Sequence, residues 1–428
     1  MALFLHSERF QRLFKEGFWV VLGQVMLILG SLVGVRILTG LMSPSAYGEV
    51  ALGMTIVALV NYTVLGPLGN GFARFYAPAV EKGDLRGYLQ AVKRLVLLAT
   101  GLIVLVCLLV TIGLFIFGRK EWIGIVIAAF IVAIVTGLNS NLNGIQNAAR
   151  QRFIVAIYQG IQPWVRVLVS ASLIILIGSN STVAMVGYAI GVMLVLGVQY
   201  LSFHKVIPTT KIATDSGRNW TEEIWAFSWP SITWGIFVWA QMSSDRWALG
   251  IFSTMHDVGK YAVLYQLGYY PISIVTGMVM QFLAPIFYQR AGDASDSQRI
   301  ANVNRLSWYL AGLTIGVTGV AFLTVLSLHT QIFRIFVAKE YASVSYLLPW
   351  ILLSGGIFTA GQTFELKLMS HKKTNAMIVV KIITAMLGVI FNFIGAYLYG
   401  IVGIVFASIL YSAVYFLWIL VLSRKVLA

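Results

Sequence analysis

Apolar stretches of about twenty residues recur along the whole chain, and they constrain its fold more than any other feature. Each stretch is long enough to cross the hydrocarbon core of a bilayer as an α-helix, which takes about 20 apolar residues. Of the 428 residues, 59% are hydrophobic and only 11% are charged, whereas soluble domains are roughly 25% charged. A soluble fold is therefore excluded, and the sequence predicts an all-α polytopic membrane protein.

The pattern predicts twelve transmembrane helices. Before the first of them, residues 1–16 place Arg9, Arg12 and Lys15 among apolar side chains, which is typical of an amphipathic helix lying on the membrane surface. The predicted spans are 17–38, 47–72, 95–117, 123–145, 154–177, 183–203, 224–252, 260–288, 306–328, 346–369, 376–397 and 403–422.

Lysine and arginine are divided unevenly between the two sides of this predicted topology. Of the 30 such residues, 20 fall in the N-terminal segment and the loops on its side, and five fall in the opposite loops. Cytoplasmic loops carry such an excess of Lys and Arg, so both termini are predicted to be cytoplasmic. The net charge of +15 then indicates orientation and contact with anionic membrane lipids, and no nucleic acid is expected as a partner.

The spans divide into two sets of six. The predicted domains are the interfacial helix 1–16, an N-lobe 17–203 with helices 1–6, a cytoplasmic linker 204–223, and a C-lobe 224–428 with helices 7–12. Similar segments follow helix 1 (SPSAYGEVA) and helix 7 (TMHDVGKYA), which aligns Gly48 with Gly259. Because both halves have an even number of spans, they insert in the same direction, as two pseudo-symmetric six-helix lobes around a central cavity.

The charged residues inside the predicted spans are mostly basic. Apart from Glu49, which lies at the start of helix 2 where the helix dipole favours an acid, there are five bases (Arg36, Arg166, Arg246, Lys367 and Lys381) and two acids (Asp245 and Glu365), a sum of 5 − 2 = +3. A charge at mid-span, such as Arg166, costs at least about 2.5–3.5 kcal/mol, so it must face protein or water. We expect four of the bases to bind an anionic cargo: Arg166, Arg36, Arg246 and Lys381. Asp245 and Glu365 are candidates for ion coupling or gating, the alternative being that they bond neighbouring helices.

Two predicted helices also carry stripes of amide side chains. Helix 4 has Asn139, Asn143, Gln146 and Asn147, and helix 5 has Gln159 and Gln162 just before Arg166. These amides are predicted to line a polar lumen and bind sugars, together with Trp239 from the tryptophan-rich helix 7. The alternatives are amide packing between helices and tryptophans at the membrane interface.

The sequence lacks the usual marks of an enzyme. It has no phosphate-binding G-x-x-x-x-G-K-[ST] motif, its single cysteine, Cys107, lies in an apolar run, and no histidine cluster has metal-ligand spacing. The predicted outer loops offer only Glu121, Asp257 and Glu340 as acids. We therefore expect no catalytic residues, no metal and no cofactor.

Four segments carry a family resemblance: RILTGLMSPSAYGEVALG after helix 1, NLNGIQNAARQRFIVAIYQGIQPWVRVL in helices 4 and 5, DRWALGIFSTMHDVGKYAVLYQL in helices 7 and 8, and NFIGAYLYGIVGIVFASIL in helices 11 and 12. Over residues 17–422 the chain resembles bacterial polysaccharide flippases of the multidrug/oligosaccharidyl-lipid/polysaccharide (MOP) exporter superfamily. It departs from them near Gly400, where relatives often have a proline before Tyr-Gly, and after Gly403, where Ile404 and Val405 replace a common Ala-Ala pair.

The resemblance implies a transporter of the cytoplasmic (inner) membrane of a bacterium. Twelve spans are similar to the branch for O-antigen, capsule and exopolysaccharide, since members that flip the peptidoglycan precursor typically have fourteen. The implied cargo is a polyprenyl-diphosphate-linked oligosaccharide moved by alternating access, and the implied partners include polysaccharide polymerase and chain-length machinery. The alternatives are a cation- or proton-coupled drug antiporter of the same superfamily and, more remotely, a membrane polysaccharide polymerase or glycosyltransferase.

Overall fold

The computed structural model of the protein describes residues 8–206, 218–291, 297–370 and 374–425, and every element in them is helical. Thirteen α-helices follow in chain order: α1 (Glu8–Leu41), α2 (Pro44–Val60), α3 (Gly66–Glu81), α4 (Leu85–Ile116), α5 (Ile123–Ala148), α6 (Arg152–Ile177), α7 (Ser181–Val206), α8 (Trp220–Phe252), α9 (Met255–Leu264), α10 (Tyr270–Ala291), α11 (Ser297–Phe336), α12 (Leu348–Ser370) and α13 (Thr374–Lys425). The predicted all-α polytopic class is confirmed.

Ten helical stretches of the described chain are long and apolar enough to cross a membrane. They include eleven of the twelve predicted spans, because the last stretch, Val379–Lys425, contains the final two. The predicted span 224–252 is helical as part of α8 but is not one of the ten. Its serine, glutamine and charged residues dilute the apolar character that the other spans have.

Gly400 divides α13 into two helices. It has φ +55 and ψ −130, a conformation that glycine adopts readily because it has no Cβ. On either side of this turn, Gly395 and Gly403 bring their backbones together, and a Cβ on Gly403 would lie 2.0 Å from the carbonyl oxygen of Gly395. The predicted spans 376–397 and 403–422 are therefore antiparallel neighbours joined by a very short turn.

The chain forms two compact units. The N-terminal unit contains Met1–Met42 and Glu49–Trp239, and the C-terminal unit contains Ser43–Gly48 and Ala240–Ala428. The first half of α8 thus belongs to the N-terminal unit, whereas the predicted C-lobe begins at residue 224. Trp220 explains this membership: it is 2% exposed, and its indole Nε1 donates to Asp84, 2.8 Å away at the start of α4. Of the predicted linker 204–223, residues 207–217 lie outside the described chain, as do residues 1–7 of the predicted interfacial helix.

Small residues bring the helices of the N-terminal unit into close contact. Along α1, a Cβ on Gly23 would lie 2.7 Å from the carbonyl oxygen of Ala156, and one on Gly34 would lie 2.6 Å from the Val167 side chain, both on α6. Between α6 and α7, Gly187 and Gly191 leave room for the backbones of Ser170 and Arg166. This G-x-x-x-G spacing is typical of tightly packed membrane helices.

Each unit contains one short π-helical segment in front of a proline. The segments are Asn61–Leu65, between α2 and α3, and Tyr265–Tyr269, between α9 and α10. Pro67 follows the first by two residues and Pro271 follows the second by two residues. Proline has no backbone N–H and its ring clashes with the carbonyl of the preceding turn. A wider turn before the proline accommodates both effects, and π-bulges of this kind occur frequently at functional sites.

Candidate functional site

Arg166 lies in the middle of α6 and has no acidic partner among the described residues. Its guanidinium stacks over the ring of Tyr188 on α7, 4.6 Å from the ring centroid, and its Nε is buried without a hydrogen-bond partner. The backbone of Arg166 packs against Gly191, where a Cβ would lie 2.7 Å from the arginine Cα. The contact between α6 and α7 therefore fixes the Cα of Arg166, whereas its guanidinium keeps at least one N–H donor, on Nε, that no described protein atom accepts from.

Arg36, the second predicted cargo ligand of this unit, is exposed on α1. It comes two residues after Gly34, which faces α6, so it points roughly 200° around the helix from that contact. Arg36 and Arg166 are similar in depth because Gly34 packs against Val167. However, Arg36 points away from α6, the helix that carries Arg166. The structure does not bring the two predicted ligands together in one site.

Three amides of the predicted stripe of helix 4 form a buried cluster with Gln199 of α7, in which the Nε2 of Gln146 has no hydrogen-bond partner. Gln199 is fully buried and accepts from Asn139 Nδ2 at 2.9 Å. Its own Nε2 donates to Asn143 at 2.7 Å and to Gln146 at 2.6 Å. In contrast to the expectation of a polar lumen, Asn139, Asn143 and Gln146 pack between helices, because they are at most 7% exposed and bond to one another or to Gln199.

The other predicted sugar ligands are more accessible. Asn147 is exposed, and Gln159 and Gln162 are half-buried on the same helix as Arg166. Trp239 is half-buried, and its Nε1 donates to the carbonyl oxygen of Thr55 on α2, 2.8 Å away. That bond uses the one donor of the indole, so its ring face is what remains for stacking.

In the C-terminal unit, Asp245 and Arg246 of α8 form one buried network. Asp245 is 5% exposed and accepts from the hydroxyl of Tyr261 at 2.8 Å and from the backbone N–H of Arg246 at 2.7 Å. The guanidinium of Arg246 lies 3.5 Å from the Asp245 carboxylate and 4.4 Å from the centroid of the Tyr265 ring. The charge of Arg246, which the sequence assigns to the cargo, is neutralised by its neighbour.

A small cavity of about 10 Å³ adjoins this network, close to the minimum space for one water molecule. Besides Asp245, its polar walls include Gln241, Ser408 and Asn392. Asn392 donates to Ser244 at 2.8 Å, whereas its Oδ1 is buried without a partner. The cavity thus combines a carboxylate with an amide oxygen that accepts no hydrogen bond from the protein.

Glu365 of α12 and Lys381 of α13 form a second ion pair in this unit. Glu365 also accepts from the hydroxyl of Tyr415, 2.7 Å away. Lys381, another predicted cargo ligand, is therefore bound to the second predicted coupling residue. Nearby, Lys367 is 3% exposed and donates to Asn304 at 2.8 Å and to the carbonyl oxygen of Ser423 at 3.3 Å.

These pairs redistribute the +3 charge that the sequence places inside the spans. Asp245 cancels Arg246, and Glu365 cancels Lys381. The other three bases inside the spans are Arg36, Arg166 and Lys367, and the first two of them belong to the N-terminal unit. Among the described residues no group of three or more His, Cys, Asp or Glu side chains is placed to hold a metal ion.

Sequence reasoning missed three side chains that organise these clusters: Gln199, Tyr188 and Asn392. Gln199 is the one amide in the apolar run of α7, AMVGYAIGVMLVLGVQYLSF, and a lone amide in such a run is itself a signal of an interhelical hydrogen bond. Asn392 gave the same signal, since it is the one amide in the apolar run 376–422. Tyr188 gave none, because its role depends on which helices are adjacent.

This arrangement of long apolar helices with buried polar clusters is that of a multi-pass membrane protein. Several solved structures share the fold. An inward-facing multidrug-resistance MATE transporter of the MOP superfamily is 14% identical, with a TM-score of 0.68 over 94% of this chain and 95% of that one. The lipid II flippase MurJ in an inward closed conformation is 14% identical, with a TM-score of 0.68 over 96% of this chain and 87% of that one. A MOP superfamily transporter from Pyrococcus furiosus, described as having a binding pocket of reverse polarity, is 15% identical, with a TM-score of 0.59 over 96% of both chains. No curated protein sequence matches the chain significantly.

The family model described as "Polysaccharide biosynthesis protein" matches residues 13–290, which is more than half of the chain. The protein belongs to this family and has the fold of the MOP superfamily, as the sequence resemblance implies.

Proposed function

We propose that the protein flips a polyprenyl-diphosphate-linked oligosaccharide from the cytoplasmic to the outer leaflet of a bacterial inner membrane, for the synthesis of a cell-surface polysaccharide. The match to the polysaccharide biosynthesis family supports this substrate class over a drug. A diphosphate and many sugar hydroxyls cannot cross hydrocarbon alone, because each unsatisfied polar group costs several kcal/mol there.

The observation that carries the proposal is Arg166, a mid-span cation with no acidic partner among the described residues and a buried Nε that no protein atom accepts from. A structural arginine at that depth is expected to be paired, as Arg246 is with Asp245. An unpaired guanidinium is a ligand for a phosphate, which it binds through two parallel hydrogen bonds. Gln159 and Gln162, seven and four residues before Arg166 on the same helix, are the proposed sugar ligands beside it.

Asp245 and Glu365 have a coupling role in this proposal. Each carboxylate is bonded to a cation and to a tyrosine hydroxyl, so protonation or ion binding at the carboxylate would release Arg246 or Lys381. The membrane potential adds to this: moving two negative charges outward at 100 mV, inside negative, yields about 4–5 kcal/mol.

The test is flipping in proteoliposomes that contain a lipid-diphosphate oligosaccharide labelled on its sugar, with an impermeant reagent to detect exposure. We expect Arg166→Gln to reduce the flipping rate by at least about tenfold, the effect of losing one charge-assisted hydrogen bond. Arg119→Gln is the matched control, since Arg119 is exposed and its ion-pair partner among the described residues, Glu121, is exposed too. Equal rates for the wild type and Arg166→Gln would refute the assignment of Arg166, and uptake of cationic dyes without flipping would favour the drug antiporter.

A further inference from the structure

A groove of about 870 Å³ runs between α4, α5 and α7 on the N-terminal unit. Its volume is within the range of about 300–1,000 Å³ that is usual for ligand sites. Most of its lining is aliphatic, and two cations, Arg86 and Lys93, stand on its α4 wall. Both are exposed, and in the described part of the chain neither forms an ion pair.

The polarity of the groove changes along its length. Arg86 lies at the beginning of α4, and Lys93 comes seven residues later on the same helix face. Leu138 and Met193 also line the groove. They lie ten and thirteen residues before the C-terminal ends of α5 and α7, so this part of the groove is deeper in the membrane than Arg86. One end therefore attracts an anion while the other accommodates hydrocarbon, which is the polarity of a phospholipid.

At an intermediate depth the groove has an amide with no partner. Asn141 is 4% exposed, and neither its nitrogen nor its oxygen has a hydrogen-bond partner in the described protein. It lies seven residues before the end of α5, about 10 Å from that end along the helix axis, and its Oδ1 is directed at Gly69 of α3. The ester oxygens of a lipid accept hydrogen bonds, so they are suitable partners for the Nδ2 donor of Asn141.

Gly197 leaves space on the α7 wall. A Cβ there would meet nothing within 4 Å, so a chain can lie against the backbone. We propose that this groove binds one anionic phospholipid, with its phosphate at Arg86 and Lys93 and an acyl chain against Gly197. The inference is independent of the proposed cargo.

The neighbouring groove on the other side of α4 lacks the same charge. It is lined by Arg94, Glu222, Trp225 and Trp229, so its single cation is balanced by a carboxylate. For this reason we assign the anionic lipid to the first groove, and Arg94 becomes a control for it.

The test is native mass spectrometry of the full chain in detergent, titrated with dioleoyl phosphatidylglycerol or with dioleoyl phosphatidylcholine. We expect tighter binding of phosphatidylglycerol, reduced about fivefold by Arg86→Gln and about fivefold by Lys93→Gln. Gly197→Leu, which fills the groove, is expected to remove the tightest-bound phosphatidylglycerol. Arg94→Gln and Gly101→Leu are the matched controls, because Gly101 is also exposed, has equally open space and lies outside the groove.

Equal affinity for the two lipids would overturn the proposal, as would an equal effect of Lys93→Gln and Arg94→Gln, which would indicate a diffuse basic surface. A polyprenyl phosphate that displaces phosphatidylglycerol, and whose own binding is lost in Gly197→Leu, would instead assign the groove to the cargo chain. Lys93 is exposed, so Lys93→Gln tests the proposal even if the groove-filling variant folds poorly.

Discussion

Gln199→Leu distinguishes a structural amide cluster from a sugar-binding one. The substitution keeps most of the side-chain volume but removes three interhelical hydrogen bonds, to Asn139, Asn143 and Gln146. Hydrogen bonds between membrane helices average about 0.6 kcal/mol, with a maximum of about 1.7. Three such bonds predict a loss of about 2 kcal/mol in the free energy of unfolding, and about 5 kcal/mol at most.

The assay for this prediction is reversible unfolding in mixed micelles with increasing denaturing detergent, followed by tryptophan fluorescence. Flipping is measured in parallel and expressed per folded molecule. Gln90→Leu is the matched control, because Gln90 is exposed on α4 and is expected to change stability little. A loss of stability below about 0.5 kcal/mol in Gln199→Leu would refute the structural role of the amide cluster. Unchanged stability with a slower flipping rate would show instead that the amides take part in transport.

Three further predictions concern other parts of the molecule. Glu365→Gln and Lys381→Gln each remove one partner of a partially buried ion pair, so the double variant should lose less stability than the sum of the single variants, as measured by a double-mutant cycle; additive losses would show that the pair contributes no coupling. Gly400→Ala places a Cβ at φ +55 and should lower the free energy of unfolding by about 1–3 kcal/mol, whereas the same change at Gly113, in a regular part of α4 with open space, should raise it slightly. Asn141→Leu removes a buried unpaired amide and should stabilise the lipid-free protein by about 1 kcal/mol in thermal unfolding; a lower melting temperature would contradict this.

The sequence predicted the fold class and the helices because apolar runs of membrane length depend only on local composition. It also predicted which charged residues lie inside the spans, since any charge in an apolar run is conspicuous. It did not predict their partners. Lys381 and Glu365 were interpreted as separate ligands, although they pair across α12 and α13. The amides of α5 were interpreted as lining a lumen because their partner, Gln199, is about fifty residues away. Pairing depends on which helices pack together, and that information is not in the periodicity of any one helix.

The π-helical segments in front of Pro67 and Pro271 have a consequence for mutation. A π-turn holds one residue more than the α-helical turn it replaces, so deleting one residue from Asn61–Leu65 would restore regular α-helix without breaking the chain. Because the wider turn takes up the extra residue, the helix after this deletion would keep its orientation, and Leu68 and Phe72, which are 2% and 0% exposed, would stay in the core. A one-residue deletion in a regular part of the same helix would instead turn everything after it by about 100° about the helix axis, which would bring polar Asn70 and Arg74 toward the core. In both units the π-helical segment is therefore the place where the helix can lose one residue and still present the same face to its neighbours.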